Sequence, residues 1–131
     1  MEFLASHGTK SASLPFSDAV RIGELLCLSG QIGNLPGRLE LVPGGIAAET
    51  RQMMENIAHV LNAAGCSLDD VFKCTVMLAD MKQWAAFNTV YLGYFRPERL
   101  PARSAFGTSG LALGATVEME CWAWAKDPAG T

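Results

Sequence analysis

Apolar positions along the chain follow two periods, and the alternation between them predicts the elements. Two apolar runs, "DAVRIG" and "ELLCLSGQIG", meet around Gly23 and predict a β-hairpin over roughly residues 18 to 32. The next segment, "NLPGRLELVPGG", has Asn, Pro and Gly at both ends and predicts a loop with one short strand near Leu39 to Val42. From about Gly45 to Ala64 the period changes. Ile46, Met53, Ile57, Val60, Leu61 and Ala64 recur at spacings of three and four or their sums, as one buried face of a helix requires, and Gly65 supplies its C-terminal cap.

Ser67 opens a short capped turn before "VFKCTVMLAD", a β-rich apolar run suited to a covered strand. Helical spacing returns from about Met81 with Trp84, Phe87, Val90, Tyr91 and Tyr94 through Phe95, until Pro97 stops it. Two strands follow, about Arg103 to Ser109 and about Thr116 to Lys126, separated by the Gly-rich turn "GLALGA" and read as a hairpin. Side chains alternate across a strand, so Val117, Met119, Cys121 and Ala123 share a core face. Glu118, Glu120, Trp122 and Trp124 share the other, a mixture of carboxylates and indoles suited to cover by another subunit. This order of elements gives an α+β fold, a mostly antiparallel or mixed β-sheet with both helices packed on one face.

Composition narrows the function. A chain of 131 residues, half of them apolar and 18% charged, is read as a single domain over 1–131 with one core. A net charge of −3 without a Lys/Arg run makes nucleic acid a poor partner. No apolar stretch approaches the roughly 20 residues of a membrane span, and "MEFLASHGTK" has no basic leader and apolar core, so a cytoplasmic location is expected. Cys27, Cys66, Cys74 and Cys121 are scattered and form no CxxC pair, which favours reduced thiols. His7 and His59 are the only histidines and neither has partners at ligand spacing, so no metal and no cofactor is expected.

Arg103, in "LPARSAFG", enters a strand from a proline-anchored loop, a rigid base for a planar guanidinium that can hold a carboxylate through two parallel hydrogen bonds. Glu118, on the strand taken to be its hairpin partner, is placed to share that site and to position a water or pass a proton. Two plainer roles stand beside these: a surface or interface ion pair for Arg103, and neutralisation of that arginine by Glu118.

The segment "LPARSAFG...GATVEMECWA" resembles the signature of the Rid (YjgF) family, Pro-Ala-Arg-Ser followed by a hydrophobic-Glu-hydrophobic-Glu strand. "LSGQIG" resembles the family's Ser-Gly-Gln segment, and "TRQMMENIAHVLNAAGCSLDDVFKCTVMLADM" and "FNTVYLGYF" its middle region and second helix, so the similarity runs over nearly the whole chain. The resemblance implies a chorismate-mutase-like fold, a homotrimer and ligand clefts between subunits. It implies that Arg103 binds the carboxylate of an enamine or imine such as 2-aminoacrylate, and that Glu118 helps a water attack, releasing ammonia and a 2-oxo acid. Ser29 and Gly30 would stand at the rim of the cleft and Asn88 near it, with Phe16 contributing an apolar wall. Two positions depart from the family pattern: Ala105 stands where many deaminating members carry cysteine, and Phe16 where a tyrosine is usual. Rival readings are a non-catalytic trimer that binds a 2-oxo acid, an endoribonuclease, and a structural or chaperone-like trimer.

Overall fold

Gly23, at φ +59°, provides the left-handed residue on which β2 (Ala19–Ile22) turns back into β3 (Leu25–Leu28), and the two pair antiparallel as the hairpin pattern requires. The computed structural model describes residues 1–5 and 14–125. His7 and the Lys126 end of the last predicted strand lie outside them. An unpredicted strand, β1 (Glu2–Leu4), pairs with the outer edge of β2. Three residues carry too little pattern to announce a strand.

The expected strand near Leu39 to Val42 is replaced by a tight loop with a single bridge between Asn34 and Leu41. Gly37 at φ +73° turns the chain, and Asn34 Nδ2 donates to the Arg38 carbonyl at 3.0 Å, so the segment satisfies its backbone within itself. The long helix α1 (Gly45–Ala63) buries Met53, Met54, Ile57, Val60 and Leu61. Each such side chain contributes about 1.5–3 kcal/mol over leaving it in water. Its end is a Schellman motif: Gly65 at φ +81° donates to the Asn62 carbonyl at 3.1 Å, and Cys66 N–H reaches the Leu61 carbonyl at 2.8 Å.

β4 (Val71–Leu78) follows, and then the second predicted helix, which is interrupted. A 3₁₀ turn at Met81–Gln83 leads into α2 (Trp84–Tyr91), and another at Leu92–Tyr94 ends it. The last strands are β5 (Ala102–Gly107) and β6 (Val117–Trp124). They do not form the expected hairpin. The sheet order is β1-β2-β3-β6-β4-β5, with β5 parallel to β4 and β6 antiparallel to both β3 and β4. β4 separates the two because its apolar residues suit a central strand, covered on both edges, better than an edge. The result is the expected mixed sheet with its helices on one face.

Register assigns the faces. Cys74, Val76 and Leu78 of β4 lie opposite Cys121, Met119 and Val117 of β6, and all six are buried in the helix-covered core. The other face carries Trp122, half-exposed Trp124, Phe106 and Phe3, with Phe72, displaced by the irregularity between Val71 and Lys73, edge-on to Trp122 at 6.4 Å. So many exposed rings on one sheet face form an apolar patch of the kind that marks an interaction surface.

Candidate functional site

Arg103 sits on β5 opposite Cys74, which places it on the helix-covered face at the sheet's edge. Its guanidinium carbon lies 4.8 Å from the centre of the Tyr91 ring, 5.5 Å from Phe87 and 5.8 Å from Trp84. These residues are one stripe of α2, three to seven positions apart, brought over the strand by helical spacing. Among the described residues the salt bridges involve Arg21 and Arg96, and no carboxylate pairs with Arg103. The plain ion-pair role is thus absent among the described residues of this chain.

Asn88 belongs to the same stripe. Its Oδ1 is buried without a hydrogen-bond partner, while the Tyr91 hydroxyl lies against the Cys74 thiol and the Arg103 guanidinium. Burial, reinforced by Cys74, pushes the Tyr91 phenol well above its ordinary value, and burial raises the Cys74 thiol to about 11, so both stay protonated near neutrality. Arg103 and Asn88 therefore form one half of the candidate site: a cation with no carboxylate partner among the described residues, on an aromatic floor whose helix also carries an unsatisfied acceptor.

Glu118 occupies the opposite face, on β6 across from Met77. It does not share a hairpin with Arg103, as the sequence suggested. Its neighbour is Gly30, which follows β3; a Cβ at that position would overlap Glu118 Oε2, so only glycine leaves the carboxylate where it is. Gln31 locks this loop to β6 through reciprocal backbone hydrogen bonds with Met119, Gln31 N–H donating at 2.9 Å and Met119 N–H at 3.0 Å. Loss of solvent around Glu118, and then the like charge of Glu120, raise the Glu118 pKa above the usual glutamate value. A carboxylate so tuned accepts and returns protons closer to neutrality than an exposed one.

Gly30, Glu118 and Phe16 line a cleft of about 570 Å³ whose far wall includes Asn56 and His59 of α1. Phe16 is 47% exposed, an apolar wall open to the cleft. The Ser29 hydroxyl donates to the Ser17 carbonyl at 2.6 Å, so it braces the loop that carries Phe16 and Gly30. Leu113, on the same rim, adopts φ 59°, a left-handed conformation uncommon for leucine. The structure thus brings Phe16, Gly30 and Glu118 together, with Ser29 behind them, and places Arg103 and Asn88 apart from that group. Sequence reasoning missed Trp84, Phe87 and Tyr91 as a floor for Arg103; their i, i+3, i+7 spacing was the available signal, read as core alone.

A family model described as Endoribonuclease L-PSP matches residues 8–125. The chain belongs to that family, which is the Rid family. It is 42% identical over 106 residues to the 2-iminobutanoate/2-iminopropanoate deaminase of Mus musculus, covering 81% of this chain and 78% of that protein. A solved yeast structure superposes with a TM-score of 0.88 at 38% identity, covering 95% of this chain and 98% of the yeast one. The structure of E. coli TdcF with bound serine gives a TM-score of 0.85 at 28% identity, covering 96% of this chain and all of that one. Both solved structures therefore share the overall fold of this chain.

Among the described residues no helix is long and apolar enough to cross a membrane, and no three His, Cys, Asp or Glu side chains converge as a metal site would require.

Proposed function

We propose that this chain hydrolyses small imines and enamines that carry a carboxylate, giving a 2-oxo acid and ammonia, in clefts built between copies of a homotrimer. The observation that carries the reading is an Arg103 guanidinium held ready and, among the described residues, without a carboxylate partner, in a chain whose relatives include imine deaminases. The guanidinium binds the substrate carboxylate through two parallel hydrogen bonds and fixes the C=N carbon. Glu118 takes a proton from a water as its oxygen bonds to that carbon, and the C=N electrons move to nitrogen, to which Glu118 returns that proton. The resulting carbinolamine collapses: Glu118 takes the hydroxyl proton and passes it to the nitrogen, C=O forms, and the C–N bond breaks with ammonia departing. An enamine enters the same path once a proton adds at its terminal carbon. The imine carbon is already electrophilic, so orientation and one proton-transfer group suffice, and no metal or cofactor is invoked.

Assembly is part of the proposal. Arg103 and Glu118 lie on opposite faces, so one copy must supply the guanidinium and another the carboxylate. The exposed rings of the open sheet face support burial against a partner. A substrate carboxylate is consistent with the serine bound to TdcF. The test is an imine generated in solution and trapped by semicarbazide in competition with hydrolysis. Wild type lowers the semicarbazone yield and raises 2-oxo acid, and Arg103→Ala does neither. Binding of a 2-oxo acid without any faster hydrolysis would instead favour the non-catalytic trimer, which lacks the thiol at Ala105 and the hydroxyl at Phe16.

A further inference from the structure

We infer that Trp84 and Phe87, with Tyr91, are positioning residues that orient Arg103 for a ligand carboxylate without neutralising it. The inference rests on the reading of Arg103 as the carboxylate clamp and adds what holds the clamp. A long arginine side chain needs something to fix its guanidinium, and the ordinary device, a carboxylate, would compete with the substrate for the same N–H groups. Here that device is absent among the described residues, and three ring faces lie within 6 Å of the guanidinium carbon.

An aromatic face attracts the cation through its quadrupole and leaves the net charge intact. It also covers one face of the plane, so that the N–H edges remain the only way for the cation to make hydrogen bonds. Ordering the guanidinium in advance removes part of the entropy that binding would otherwise cost. Trp84 is the informative member. It is 43% exposed at the start of α2, while Phe87 and Tyr91 are buried, and the arginine accounts for a large indole left at the surface. Phe87 in turn packs against Tyr91 at 5.3 Å, which fixes the floor as a unit.

The experiment compares wild type with Trp84→Leu, Trp84→Phe and Phe87→Leu, reading imine hydrolysis as separate KM and kcat and 2-oxobutanoate binding by calorimetry. Trp84→Leu removes a ring from a half-exposed site and leaves the core alone. Phe87→Leu keeps apolar bulk. The expected result for both leucine variants is KM and Kd raised about three- to five-fold, with kcat within about two-fold of wild type, and Trp84→Phe recovering most of the affinity. Unchanged KM and Kd in both leucine variants, beside an active wild type, would overturn the inference while leaving the deaminase reading in place. A fall in kcat alone would also overturn it, since that marks a structural role. Wild type that binds 2-oxobutanoate yet hydrolyses nothing would sink the deaminase reading, and weaker binding in the leucine variants would still support the floor. A wild type that neither binds nor hydrolyses overturns both.

Discussion

Arg103 and Glu118 emerge on opposite faces of one sheet, and β4 stands between their strands. No rotamer change brings a guanidinium and a carboxylate together across a strand and through a packed core. If both serve one reaction, each site draws on two copies. Mixing unfolded Arg103→Ala and Glu118→Gln chains and refolding them together should therefore restore hydrolysis that neither variant shows alone. In a ring of three formed at random, roughly a quarter of sites receive both intact residues, so recovery to about a quarter of wild-type activity is expected. Recovery no greater than the sum of the separate variants would rule out a shared site.

Trp122 gives the assembly its own test. It stands on the open face, 44% exposed and edge-on to Phe72. Trp122→Lys places a charge where an apolar partner surface is expected, a desolvation cost that a subunit interface does not tolerate. Light scattering should show monomer, circular dichroism an intact fold, and hydrolysis a fall of about ten-fold or more through loss of positioning. A monomer with full activity would refute the intersubunit site.

The two helices, the β2–β3 hairpin and the alternation of β6 were legible because each carries its own period over several turns or pleats. Gly65 and Gly23 punctuated them in the positions that their left-handed backbones demand. The neighbour of β5 was not legible. A Gly-rich turn between "ARSAFG" and "VEMECWAW" is what a hairpin would also show, and only packing decides that β4 takes the place between β5 and β6. Periodicity reports which residues share a face within an element and is silent on which face of the sheet another strand presents. For the same reason Arg103 and Glu118 could be named from motif and chemistry while their separation could not. Glu49 shows a further limit. It is a buried carboxylate in an apolar stripe, and its reason, the 2.8 Å hydrogen bond it accepts from Thr116 N–H, comes from 67 residues away.

Gly30 probes the carboxylate through its neighbour. Its backbone does not require a left-handed φ, so Gly30→Ala tests space alone. The added methyl must displace the Glu118 carboxylate, the mobile end of a side chain, so the fold should hold while the attacking water loses its partner. The expected outcome is kcat lowered about ten- to a hundred-fold, with melting temperature little changed. Full kcat in this variant would mean that Glu118 has no fixed position to defend.

The pH dependence of hydrolysis then tests what Glu118 does. Desolvation first, and Glu120 second, hold its carboxyl protonated to higher pH than an exposed glutamate. The active form in the proposed reaction is the carboxylate, so activity should fall on acidification along a limb lying above the ordinary glutamate range. Glu120→Gln removes the smaller cause and should move that limb to lower pH, still short of the ordinary value because desolvation remains. Linkage runs in the opposite sense for stability. A group whose pKa is raised on folding contributes stability below its unfolded pKa, and loses it as pH rises through the folded one. At neutral pH the charged Glu118 therefore weighs against the fold. Glu118→Gln should lower kcat while leaving thermal stability at pH 7 equal to or slightly above wild type, with less change in stability between acid and neutral pH. A variant that keeps its kcat, or one that melts earlier at pH 7, would show that the carboxylate is there for structure and not for the reaction.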